Sequence, residues 1–98
     1  MIYLYVIIIN KHLAIMKYTR FSHAQENTVQ LQSVGHCLGT PAAELKAGDK
    51  LMWNFGYTSE IVEIVKESKS FIFVKELSGG NIYERRLKKD RLVVRLEK

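Results

Sequence analysis

Four groups of residues in this 98-residue chain are of types that can do chemistry. His36 and Cys37 are adjacent, and a thiol that gives up its proton is nucleophilic enough for acyl transfer. Cys37 is the only cysteine, so no internal disulfide can form and no Cys-Cys metal spacing exists. That pattern suits a reducing compartment, and a cytoplasmic location is expected. His12, His23 and His36 lie scattered with no ligand spacing between them, which argues against a metal site, and nothing calls for a cofactor. Glu60, Glu63 and Glu67 are carboxylates of the acid–base type, but on a strand they alternate with apolar residues and no partner acid is placed. Solvated faces account for them, and no enzymatic activity is expected.

The fourth group combines cations with aromatic rings. From residue 1 to 74 seven Lys and Arg face six Asp and Glu, whereas residues 75–98 carry eight basic and four acidic side chains. Nearly all of the formal +5 charge therefore lies in the last quarter. Arg85, Arg86, Lys88, Lys89, Arg91 and Arg95 could line one edge of the fold and neutralise phosphates, while Trp53, Phe55 and Tyr57 could stack unpaired bases. Most of the six rings Trp53, Phe55, Tyr57, Phe71, Phe73 and Tyr83 are expected in the core, with about two exposed. This combination predicts a low-specificity nucleic-acid binder. Glu84, Asp90 and Glu97 dilute the patch, so binding should be weak and salt-sensitive. An acidic protein surface is the competing partner, because Arg, Tyr and Trp also anchor protein interfaces. Cations that merely keep a small domain soluble are the plainest alternative.

The elements that must position these groups are short. Apolar runs separated by turn chemistry at Gly48-Asp49, Asn54-Phe55-Gly56, Glu67 to Lys69, Gly79-Gly80-Asn81 and Lys88-Lys89-Asp90 read as consecutive antiparallel strands. The expected strands are Lys50 to Phe55, Tyr57 to Lys66, Ser70 to Leu77, Ile82 to Leu87 and Leu92 to Leu96. In the first, Leu51 and Trp53 share one face and Met52 and Asn54 the other. The second has Ile61, Val62, Ile64 and Val65 on both faces, so it must bend, bulge or lie between two layers. Ser78-Gly79-Gly80-Asn81 supplies a hairpin turn. Ala42 to Leu45 reads as one helical turn capped by Thr40, and Lys88 to Asp90 as another. At this length only one small core is possible, and a deep catalytic cleft is not expected.

Residues 1–39 read as an irregular extension. Met1 to Ile9 is an unbroken apolar run about half the length needed to cross a bilayer, so it is not a membrane span. No positive residue precedes it and no small-residue cleavage site follows, which argues against a secretory signal. Its β-branched and aromatic content suits a strand, and a homodimer in which it joins a second copy's sheet is a further reading. Met16-Lys17 offers an alternative start. The segment from Lys17 to Gly39 reads as a polar loop, an edge strand around Val29 and Leu31, and a connector through Pro41.

Five strands entered through Pro41-Ala42-x-x-Leu45-Lys46-x-Gly48-Asp49 resemble an SH3-like barrel, a fold that many small translation, chromatin and phage proteins use. The resemblance implies a mainly β, five-stranded SH3-like barrel over residues 40–98. The entry, Met52-Trp53-Asn54-Phe55-Gly56, and the closing Tyr83-Glu84-Arg85-Arg86-Leu87 to Arg91-Leu92-Val93 are also similar to small uncharacterised phage and mobile-element proteins. That likeness implies no known activity; separately, a barrel of this size with Arg85, Arg86 and Trp53 as anchors could be a phage-encoded module that binds or inhibits a host protein. Cys37-Leu38-Gly39-Thr40 followed by Glu44 to Asp49 is similar to the opening of intein and hedgehog-type autoprocessing domains. There a leading Cys attacks its own preceding carbonyl, with a downstream Thr-x-x-His segment polarising the bond. No His follows His36 here, so Cys37 is expected to be a small, partly buried apolar residue.

Overall fold

The structure is a computed structural model that describes the backbone of residues 2–9 and 14–97 and the side chains of residues 17–97. It is mainly β, with ten strands and no α-helix among the described residues. The five expected strands are present as β6 (Lys50–Met52), β7 (Thr58–Glu67), β8 (Phe71–Ser78), β9 (Asn81–Lys88) and β10 (Leu92–Arg95). A sixth, β5 (Thr40–Pro41), pairs with β10 and gives the sheet order β5-β10-β6-β7-β8-β9. This sheet is open, so the expected closed five-stranded barrel is corrected on both closure and strand count. β10 returns beside β6, at the end of the sheet away from β9, and Thr40–Pro41 takes its other edge. β9 is left as an edge strand.

Local chemistry explains most of the elements. Gly79 and Gly80 adopt φ of 56° and 81°, and Ser78 and Asn81 pair across the two-residue turn that joins β8 to β9. Positive φ at both central positions is what such a hairpin requires. β7 carries two register shifts against β8, between Ile61 and Glu63 and between Ile64 and Lys66. Each leaves a valine unpaired, and these bulges are how a strand with apolar residues in both phases keeps Ile61 and Ile64 inward. The first strand stops at Met52, short of the expected Phe55, because Asn54–Gly56 folds into a 3-10 turn with Phe55 at φ 63°. Residues 42–44 also form a 3-10 turn, but its N-cap is Pro41 without a side-chain bond, and Thr40 belongs to β5. Lys88 to Asp90 is a tight turn closed by the Arg91 N–H donating to the Lys88 carbonyl at 3.1 Å. The expected helical turn is absent there.

Residues 2–9 and 14–39 form more regular structure than the expected irregular extension. β1 (Ile2–Ile9), β2 (Ala14–Phe21), β3 (Thr28–Leu31) and β4 (Gly35–Leu38) form a second open sheet in the order β1-β2-β4-β3. β1 pairs with β2 of its own chain over eight positions and forms one edge. The expected edge strand around Val29 and Leu31 is β3, at the other edge. His12 lies outside the described residues.

Two apolar clusters hold the molecule together. Leu45, Leu51, Ile61, Ile72, Val74, Leu87 and Val93 form one on the inner face of the six-stranded sheet, with Trp53 and Ile64 packed against it. Leu31 and Cys37 of the N-terminal sheet join Met52, Val94 and Leu96 in the other. The second cluster spans residues on both sides of position 39, so the two sheets share a core. Alternation along β6 sends Leu51 to one cluster and Met52 to the other. Lys17 and Glu97 exchange two backbone hydrogen bonds at 2.6 and 2.8 Å, adding a backbone link. Gly39 lies where the sheets meet: a Cβ there would sit 2.9 Å from the Leu92 Cβ and 3.0 Å from the Val29 Cγ2. Among the described residues no helix is long and apolar enough to cross a membrane.

Candidate nucleic-acid interface

The Asn54–Gly56 turn is built into the junction of the sheets. The Phe55 N–H donates to the Gln32 carbonyl at 2.7 Å, and the Gln32 N–H donates to Asn54 Oδ1 at 2.9 Å. The Trp53 N–H donates to the Tyr57 carbonyl at 2.7 Å and closes the turn from within. These bonds present Phe55 and Tyr57 to solvent, 60% and 71% exposed, as an edge-to-face pair with ring centroids 6.5 Å apart. Large aromatic rings this exposed bury little apolar surface on folding, so packing does not explain their presence.

Beside them runs a cleft of about 350 Å³ with walls from both sheets. Val29, Gln30 and Leu31 form one side, and Trp53, Arg85, Arg91 and Leu92 the other, with Phe55 and Tyr57 in the same lining. The Arg85 guanidinium lies 4.3 Å from the Trp53 ring centroid and that of Arg91 lies 5.7 Å from it. Cation–π attraction to an indole holds both charges at the cleft. Trp53 is itself fixed, its Nε1–H donating to the buried Ser59 Oγ at 2.9 Å. Arg85 is further held by Glu76, whose Oε2 accepts from its Nε at 3.0 Å.

Of the nine residues expected to bind, the cleft brings together Trp53, Phe55, Tyr57, Arg85 and Arg91. The other four go elsewhere. Arg86 faces the opposite side of the sheet, 4.5 Å above the Phe71 ring. Lys88 and Lys89 line a separate hollow with Lys69 and Asp90, and Lys89 pairs with Glu67 at 3.2 Å. Arg95 pairs with Asp49 at 3.9 Å. The six cations are therefore spread over several surfaces, and Arg85 and Arg86 lie on opposite faces as strand alternation requires.

The sequence reading missed two contributions. Val29, Gln30 and Leu31 furnish a wall of the cleft, and no pattern in a segment read as a lone exposed strand pointed to that. Glu76 was legible in principle, since it lies in phase with the inward Ile72 and Val74. The carboxylates considered for catalysis are in ion pairs: Glu60 with Lys50 at 3.4 Å, Glu63 with Lys75 at 3.5 Å, and Glu67 with Lys89. Cys37 is fully buried in β4, and burial pushes its thiol pKa up despite the opposing Arg20 charge. A thiol held protonated is a poor nucleophile. Among the described residues no group of three His, Cys, Asp or Glu could hold a metal ion. Comparison with family profiles, curated proteins and solved structures finds no match for this chain.

Proposed function

We propose that the chain is a non-enzymatic module that binds single-stranded nucleic acid with little sequence preference at the Trp53 cleft. The observation that carries this reading is the meeting of two exposed rings, Phe55 and Tyr57, with two guanidinium groups, Arg85 and Arg91, in one cleft. Exposed rings offer stacking surfaces that accept any base, and guanidinium groups match phosphate oxygens. A duplex keeps its bases stacked on each other, so the rings favour a single strand. A phage-type origin fits such a small module equally well.

The test is a fluorescence anisotropy titration of the full chain with single- and double-stranded oligonucleotides at rising salt. Two phosphate contacts at roughly −0.7 each give a slope of log K against log salt of about −1.4 for single strands. Tyr57→Ala should weaken binding about tenfold and Arg91→Ala should flatten the slope, while Lys88→Ala should change either little. No binding of any oligonucleotide at low salt would overturn the reading.

A second reading, a protein-interaction module, is favoured by the β8–β9 hairpin. Leu77 and Ile82 are register partners, both exposed, and Ile82 lies on an edge strand whose outer side has no partner among the described residues. An open edge is a template for an added strand. Affinity for a protein partner that persists at high salt and fails in Ile82→Lys would support it.

A further inference from the structure

We propose that Glu76 makes the cleft selective for guanine at one position of the bound strand, an inference that rests on the nucleic-acid reading above. Glu76 is 2% exposed, and its Oε1 is buried with no hydrogen-bond partner among the described residues. A buried acceptor left unpaired is costly, more so when charged, so such an atom calls for a donor that arrives with a ligand. Glu76 lines a recess of about 270 Å³ with Ser59, Ser78, Tyr83 and the Trp53 and Arg85 of the main cleft. Drug-sized sites begin at roughly 300 Å³, so this recess suits one base or one side chain. Two of its donors are committed, the Trp53 Nε1–H to Ser59 Oγ and the Ser78 hydroxyl to the Thr58 carbonyl.

Charge selects the donor. Arg85 already lies 3.0 Å from Glu76 Oε2, and Arg91 stands on the same indole. A second cation would meet both guanidinium groups, whereas a neutral N–H would not. Among bases, guanine alone presents two adjacent donors, N1–H and the N2 amino group, on its Watson–Crick edge. Carboxylate oxygens have two acceptor sites each, so Oε1 can take one of these donors and the second site of Oε2 the other. Adenine and cytosine set a single amino group beside an acceptor nitrogen, and thymine flanks its one N–H with two carbonyls, so each brings lone pairs against the carboxylate. Tyr83 stands opposite Glu76 in the β8–β9 register and is exposed, so it is the side chain free to give way as the base enters.

The experiment compares wild-type affinity at low salt for thymine oligonucleotides of one length whose central base is dT, dG or hypoxanthine, which lacks the N2 amino group. Central dG should bind about tenfold tighter than dT, with hypoxanthine between them. Glu76→Gln, with its fold checked by circular dichroism, should erase the preference, and any weakening from the loosened Arg85 should fall equally on dT, dG and hypoxanthine. Equal binding of all three by the wild-type chain would overturn the inference and leave low-specificity binding standing. No binding of any oligonucleotide would overturn both, and the wild-type series decides even if Glu76→Gln does not fold.

Discussion

The two faces of β9 carry the same residue types and differ in what stands behind them. On the inner face Arg85 lies over Trp53, and a buried carboxylate holds it from below. On the outer face Arg86 lies over Phe71 and Lys66 over Phe73 at 4.7 Å, but no buried acid anchors either cation among the described residues. Glutamates on that side, such as Glu63 beside Lys75, are themselves exposed. The inner guanidinium is therefore placed before any ligand arrives, whereas the outer cations are held only by contacts that water and salt screen. Preorganisation, and not the number of cations, separates a site from a solvated face.

The widest contrast should come from packing. Leu87→Ala, which empties a side chain buried in the inner cluster, should cost about 2–5 kcal/mol in urea unfolding, while Arg86→Ala one residue away should stay within about 1 kcal/mol. Equal losses would mean that β9 does not divide core from solvent as described. Next in size is Arg85→Ala, which leaves both Glu76 oxygens unpaired in a buried place. Because the Arg85 side chain is 40% exposed, the usual penalty for breaking a buried pair is discounted to about 2 kcal/mol. Adding Glu76→Leu to that variant should restore most of the loss, since the second change removes the stranded charge. A double variant no more stable than Arg85→Ala would show that the carboxylate is not the strained partner. Trp53→Phe removes one donor from the buried Ser59 and should cost about 1 kcal/mol, read from the same unfolding curves.

The division between the faces was legible in the sequence where alternation rules. The phase Phe71, Phe73, Lys75 against Ile72, Val74, Glu76 follows directly from a period of two, and so does the split between Arg85 and Arg86. The Gly79-Gly80 hairpin was legible for a similar reason, since those residues admit few other turns. Sheet closure was not: whether β10 meets β6 alone or also reaches β9 depends on long-range pairing that no local pattern encodes. β2 was hidden because its apolar start, Ala14 to Met16, is short and its later residues are largely polar. The wall that Val29 and Leu31 lend to the cleft was hidden too, because it exists only once Gln32 and Asn54, far apart in sequence, are bonded.

The smallest expected effect tests the outer face by itself. Lys75 and Glu63 are register partners with a 3.5 Å ion pair, and their side chains are 40% and 56% exposed. Water competes for both groups, and holding two long side chains together costs rotamer freedom, so the attraction is nearly offset. A double-mutant cycle with Lys75→Ala and Glu63→Ala should give a coupling of about 0.5 kcal/mol or less, fading as salt approaches about 1 M, where the Debye length is only about 3 Å. The same cycle on Arg85 and Glu76 should give a larger coupling that salt barely changes, because the carboxylate lies out of reach of counterions. If the two cycles agreed in size and in salt response, the buried anchor would confer no rigidity on Arg85, and the inner face would have no greater claim to be the binding site than the outer.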